Sequence, residues 1–251
     1  MKSKILWTLA AVFVFLFFVV AYMPAAHLIQ SQTLPKGVKI YGVSGTVWHG
    51  KAQAVVVEGI PVTNVEWDIA GLPMLIGSVH ADIKGGNLRD SDEVSFKGEL
   101  RTSLLNPETV ESDDFLLFLP VDRVLAEVQL PLPVNAGGRF RARVEALSFG
   151  PDCNELTGFG DWLNATVAGT RGPIDFGNYS AQLRCEGKGI GITVKEPNML
   201  GLSLDAILEQ GFSNFSIKGK FKPDPSLPEE VHQAAAIFGA PGPDGYTEIQ
   251  L

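Results

Sequence analysis

The sequence is short of the residues that most enzymes and metal proteins are built on. It has two cysteines, Cys153 and Cys185, and four histidines, His27, His49, His80 and His232, in 251 residues. A structural zinc site needs more ligands at closer spacing, so none is expected, and the histidines suit surface or hydrogen-bonded core positions. There is no HExxH, no GxSxG and no Walker lysine after a glycine-rich run, which removes the motif-based case for a zinc protease, a hydrolase elbow or a P-loop. The glycines at Gly187, Gly189 and Gly191 form GxGxG, but Ile192 stands where a dinucleotide fingerprint needs a third small residue. A turn is the expected reading there. The pairs Asp90/Asp92 and Asp113/Asp114 fit no calcium loop and read as solvated. No cofactor is called for, and a non-enzymatic role is expected. Basic residues are also scarce, 20 Lys and Arg against 28 Asp and Glu, for a net charge of −8. That balance argues against nucleic acid as a partner and against binding through a basic patch to an anionic lipid surface.

What is present begins at Ile5. The 19 residues to Met23, ILWTLAAVFVFLFFVVAYM, carry no charge. A helix crossing a hydrocarbon core of about 30 Å needs about 20 such residues, and in lipid only a helix satisfies its own backbone. Trp7 and Tyr22 sit near the two ends, where amphipathic rings favour the interface, and Lys2 and Lys4 place the leading residues in the cytoplasm. The rival is a cleaved export signal, but the apolar run is long and no small-x-small site follows it well. The expected plan is a cytoplasmic end over 1–4, a transmembrane anchor over 5–23 and a periplasmic β-rich domain over 24–251, with possible halves at about 37–105 and 121–251.

The body is rich in strand and turn signals, with 27 glycines and 16 prolines. After a short helix from Ala25, alternation predicts half-buried strands around Val65/Trp67/Ile69, Val79/Ala81/Ile83 and Val94/Phe96/Leu100. Glycines Gly42, Gly45 and Gly50 flank an expected Thr46-Val47-Trp48 strand. The stretch Gly71–Gly77 reads as a turn or single helical turn plugging a core edge. Leu104–Pro120 reads as a short helix or loop, with Asn106 capping and Pro107 in the first turn. Strands are expected again at Val124/Ala126/Val128/Leu130, Phe140–Ala146, Ala165–Ala168, Tyr179–Cys185, Ile190–Val194, Leu200–Leu204, Phe215–Phe221 and Tyr246–Leu251. Ser226 is expected to cap a helix that runs to Phe238 and stops at Gly239. Arg139, Arg141 and Arg143 read as one exposed strand face. Roughly ten to fourteen short, mostly antiparallel strands follow. In an exported domain the two cysteines favour a disulfide over two buried thiols, and closing such a loop is worth about 3–4 kcal/mol.

A basic end, one anchor, then GVSGTVWHGKA and VEWDIAGLPMLIGSVHADI, resemble the type II secretion system protein N family. The resemblance runs along nearly the whole chain, through the paired cysteines to FSIKGKFKPDP and PGPDGYTEIQL, and Gly42, Gly45, Trp48, Gly50 and Trp67 carry most of it. It implies a mostly β fold: a single transmembrane helix followed by a curved antiparallel sheet or sandwich-like periplasmic domain with a few short helices. It also implies an accessory component in the bacterial inner membrane, with its bulk in the periplasm and other type II secretion inner-membrane subunits as partners. The family is distantly similar to AsmA-like proteins, whose curved sheets have a lipid-facing groove, so a lipid-binding role is the alternative. That analogy is one of fold alone.

Overall fold

The N-terminal apolar run folds as one helix, α1 (Lys2–Ala21), in a computed structural model that describes residues 2–31, 34, 37–127, 135–209 and 215–250. Its segment Lys4–Ala21 has the length and composition of a membrane span and none of it is buried against the rest of the chain. A helix that is apolar all round and touches no core has hydrocarbon as its natural solvent. Pro24 follows, and α2 (Ala25–Ser31) continues as the expected short helix.

The rest is built mainly from strands: β1 (Val38–Tyr41), β2 (Ser44–Gly45), β3 (His49–Val57) and β4 (Ile60–Ala70), then a single helical turn α3 (Gly71–Met74), then β5 (Ser78–Gly85), β6 (Ser95–Ser103), β7 (Asn106–Ser112) and β8 (Phe115–Pro120). Helix α4 (Val121–Glu127) leads to β9 (Ala136–Phe149), β10 (Cys153–Gly169), β11 (Gly172–Glu186), β12 (Gly189–Val194), β13 (Ser203–Leu208) and β14 (Phe215–Phe221). Helix α5 (Glu229–Ala235), a 3-10 turn (Ala236–Phe238) and β15 (Thr247–Gln250) close the described chain. The fifteen strands of the described residues belong to one antiparallel sheet, ordered β1-β3-β4-β5-β6-β7-β9 and on in sequence to β15. β2 pairs with β3, and β8 lies between β6 and β9 in the same lane as β7. Near-sequential order follows from the short connections, which favour hairpin neighbours.

The main core lies under the second part of the sheet. Ala165, Phe176, Tyr179 and Leu227 are buried together, with Trp162, Val167, Met199 and Val231 packed on them. Phe140, Trp162 and Tyr179 form an aromatic row with ring centroids 5.7 Å apart at each step. α5 supplies Val231, so this helix lids the sheet there. Under β4 to β6 the cover is thinner: Val65, Trp67, Ile69, Val79, Ile83 and Leu100 are only half-buried.

Several elements differ from the alternation-based expectations. Residues 106–120 form β7 and β8, not a helix or loop; the β-rich Phe115–Leu119 run pairs with both neighbours, and Pro107 sits in the unpaired bulge between Asn106 and Val110, where a missing N–H costs nothing. Val124 and Ala126 belong to helix α4, because Val121, Val124 and Leu125 at i, i+3 and i+4 make a helical stripe, with Val121 fully buried. The remainder of that expected strand, Val128 and Leu130, lies outside the described residues. Thr46-Val47-Trp48 is a turn containing one isolated bridge, Pro24 to Thr46, and β3 begins only at His49. Leu200 and Leu202 precede β13, which starts at Ser203. Ser226 bonds Asp224 and caps nothing, so α5 starts after Pro228, although the helical stretch does end at Gly239 as expected. Gly71–Gly77 does form a helical turn, but it plugs no core: Leu72, Leu75 and Ile76 are 80%, 82% and 86% exposed.

Candidate interaction site

Four of the five motif residues meet where the apolar helix joins the sheet. Trp48 lies in the turn between β2 and β3. Its indole N–H donates to the carbonyl of Val20 at 2.9 Å, in the last turn of α1. At this helix end the same carbonyl takes a longer bond, 3.3 Å, from the Met23 amide, so the indole arriving from the sheet supplies its shorter one. The Val47 amide donates to the Met23 carbonyl at 3.0 Å. From the other side, the Trp67 indole donates to the Val47 carbonyl at 3.0 Å, and the Ile69 amide donates to the Trp48 carbonyl at 2.6 Å. Residues 46–48 are thus clamped between the end of the helix and strand β4.

The glycines make this clamp possible. Gly50 is the register partner of Trp67, and a Cβ on Gly50 would stand 2.2 Å from the indole ring. Only a hydrogen there lets the ring lie across β3 and reach Val47. Gly45 has φ +85°, and a side chain on it would meet the His49 carbonyl at 2.5 Å. Gly42 lies just outside the joint, between β1 and β2, against the Gln53 side chain. The cysteines are elsewhere: they form a disulfide between β10 and β11 with Cα atoms 5.5 Å apart.

Beside the joint a groove of about 600 Å³ opens along β3 to β6. Its wall is charged, and the charges answer one another. His49 lies 3.3 Å from Asp68, and Lys84 lies 2.9 Å from Glu66. The hydrogen bond from Lys84, with its charge, holds the Glu66 carboxyl below the usual range. Outside the groove, further along β5 and β6, His80 and Arg101 both contact Glu99, whose carboxyl is lowered mainly by the Arg101 hydrogen bond. Such paired, solvent-exposed groups orient a surface; Asp82 and Lys97 also line the groove. Among the described residues no group of three His, Cys, Asp or Glu is placed to hold a metal.

The arginine row is not one free face. Arg139 turns inward, stacks over Phe118 at 4.1 Å and donates to the buried Ser95 hydroxyl at 2.9 Å. Arg141 pairs with Asp161 at 2.6 Å, and Arg143 stands 3.8 Å from Asp114. The joint's hydrogen bonds were not readable in advance; the available signal was two tryptophans set among glycines at turn spacing.

An uncovered apolar helix of membrane-span length, locked by two indoles to one large antiparallel sheet, defines a β-sheet protein carried on an N-terminal apolar helix. The family model for type II secretion system (T2SS), protein N matches residues 36–250, and the chain belongs to that family. It is 29% identical over 233 residues to the type II secretion system protein N of Vibrio cholerae serotype O1 (strain ATCC 39315 / El Tor Inaba N16961), covering 90% of this chain and 88% of the relative. It is 24% identical over 252 residues to the protein of the same name from Aeromonas hydrophila, covering 98% and 96%. No solved structure matches the chain.

Proposed function

We propose that the protein is an accessory component of the type II secretion system, anchored in the bacterial inner membrane by residues 5–23 with residues 24–251 in the periplasm, and that it acts by binding other inner-membrane subunits, not by catalysis. The observation that carries this reading is the joint: the motif residues Gly45, Trp48, Gly50 and Trp67 are used to fix a sheet to a helix, not to build a reactive centre. A domain so held presents its surfaces at a set orientation beside the bilayer, at raised effective concentration toward other membrane proteins. Its β1 edge offers unpaired backbone groups for strand addition. The test is in vivo photo-crosslinking from Lys39 on that edge and from Lys51 in the groove. Adducts with secretion subunits are expected; none above background sinks the proposal.

The half-buried apolar residues beneath β4 to β6 support a second reading, a lipid-binding face. A photo-crosslinker at Ile83 that captured lipid in cells, identified by mass spectrometry, would favour it over the first.

A further inference from the structure

Among the described residues, the four most exposed large apolar side chains, Leu72, Leu75, Ile76 and Leu105, lie in two neighbouring loops. Leu72, Leu75 and Ile76 project from the β4–β5 connection, and Leu104 and Leu105, 51% and 94% exposed, from the β6–β7 turn. The loops are joined: the Leu104 amide donates to the Gly77 carbonyl at 2.8 Å, and Ser78 and Ser103 are register partners at the base of both. Five large aliphatic residues therefore form one tip.

Its position follows from the register. β4 runs from Ile60 to Ala70, and its Ala70 end is the end held to Trp48, and through Trp48 to Val20 of α1. β5 starts at that end and β6 finishes there. The tip thus lies on the edge of the sheet from which the apolar helix leaves. The connections at the two ends of β5 and β6 differ sharply in chemistry. Residues 69–79 and 102–107 contain no charged side chain, whereas the opposite connection, 86–94, carries Arg89, Asp90, Asp92 and Glu93.

We infer that this tip is a second membrane contact, in which Leu72, Leu75, Ile76, Leu104 and Leu105 enter the leaflet on the side where α1 emerges. Continuity with the anchor favours lipid as the occupant. So does the side-chain chemistry: protein-binding hot spots are rich in Trp, Tyr and Arg, and the tip has none, while bare aliphatic loops suit the boundary between headgroups and acyl chains. An apolar surface of this kind left in water would be an aggregation liability. With helix and tip both engaged, the sheet is held at two points and cannot swivel about the anchor.

The inference rests on the reading of α1 as a membrane anchor, and the experiment separates the two. Full-length protein carrying Leu75→Cys, Leu105→Cys, Phe13→Cys or Asp90→Cys is labelled with the fluorophore NBD and reconstituted in vesicles of phosphatidylethanolamine and phosphatidylglycerol. Phe13, Leu75 and Leu105 are 71%, 82% and 94% exposed, so replacing them spares the core, and native circular dichroism of each variant, Asp90→Cys included, checks the fold. The expected result is a blue-shifted, several-fold brighter emission at 75 and 105, quenched by shallow doxyl lipids, with 13 quenched by deep ones and 90 unaffected. Water-like, unquenched emission at 75 and 105 alongside a quenched 13 overturns the tip contact and leaves the anchor standing. A 13 that is also unquenched overturns the anchor itself. Labels at 75 and 105 that lipid never quenches, but that other secretion subunits shield, would make the tip a protein-docking surface and overturn the inference.

Discussion

At the scale of single residues, close packing decides more than polarity. Gly50 has no room for a methyl group, because the Trp67 ring occupies that space and the Thr46 carbonyl lies 2.8 Å away. Gly50→Ala must push the indole off Val47, and overpacking of this kind costs about 1–3 kcal/mol. Thermal unfolding of the full-length protein in detergent should show the loss, and Trp67→Phe, which removes the N–H to Val47 and leaves a smaller ring over Gly50, should also destabilise, by about 1–3 kcal/mol. Tyr179 gives a prediction in pH. Burial pushes its phenol up to about 12. The folded-state value is raised, so the neutral phenol's contribution is whole below the ordinary value near 10 and is lost as pH rises through 12. The difference amounts to about 2–3 kcal/mol. Denaturant unfolding between those limits should show wild type losing more stability than Tyr179→Phe. At neutral pH the phenylalanine variant should be no less stable, because the Tyr179 hydroxyl has no hydrogen-bond partner to lose.

At the scale of elements, the longest hairpin carries the disulfide. β10 and β11 turn at Gly169–Gly172, and beyond the last register pair, Thr157 with Arg184, Cys153 and Cys185 are bonded across a separation of 32 residues. Opening that loop by Cys153→Ser with Cys185→Ser should lower stability by about 3–4 kcal/mol in the chain-entropy picture. A fall in the denaturant midpoint with little change in native circular dichroism would show it. The strands on either side were legible in the sequence because their one-sided burial imposes strict alternation, as in Val65, Trp67 and Ile69. Alternation failed where two periods overlapped. Val124 and Ala126 fit a strand, but Val121, Val124 and Leu125 fit a helix equally well, and the buried Val121 decided for the helix. It failed again at Pro107, which marks a helix start or a bulge with equal ease. The joint was half-legible: tryptophans among glycines announced close packing, but not that one indole would reach back 28 residues to the helix. Such a bond depends on tertiary placement, which no local period encodes.

At the scale of the molecule, tethering and orientation are different contributions, and the joint separates them. With α1 as the membrane anchor proposed above, a helix alone would keep the sheet at the membrane and raise its effective concentration, whatever direction the sheet faced. The clamp from Val20 through Trp48 to Ile69 adds direction. A short Gly-Ser linker inserted after Tyr22, combined with Trp48→Phe, would keep the anchor and a comparable effective concentration while freeing the angle between helix and sheet. If orientation matters to assembly, this variant should fractionate with the membrane yet release much less of a type II substrate into the medium, close to the level of a protein whose helix is replaced by a cleavable export signal. Normal secretion from the linker variant, with loss only in the untethered protein, would mean that the clamp is not needed to orient the sheet and that the two indoles serve stability alone.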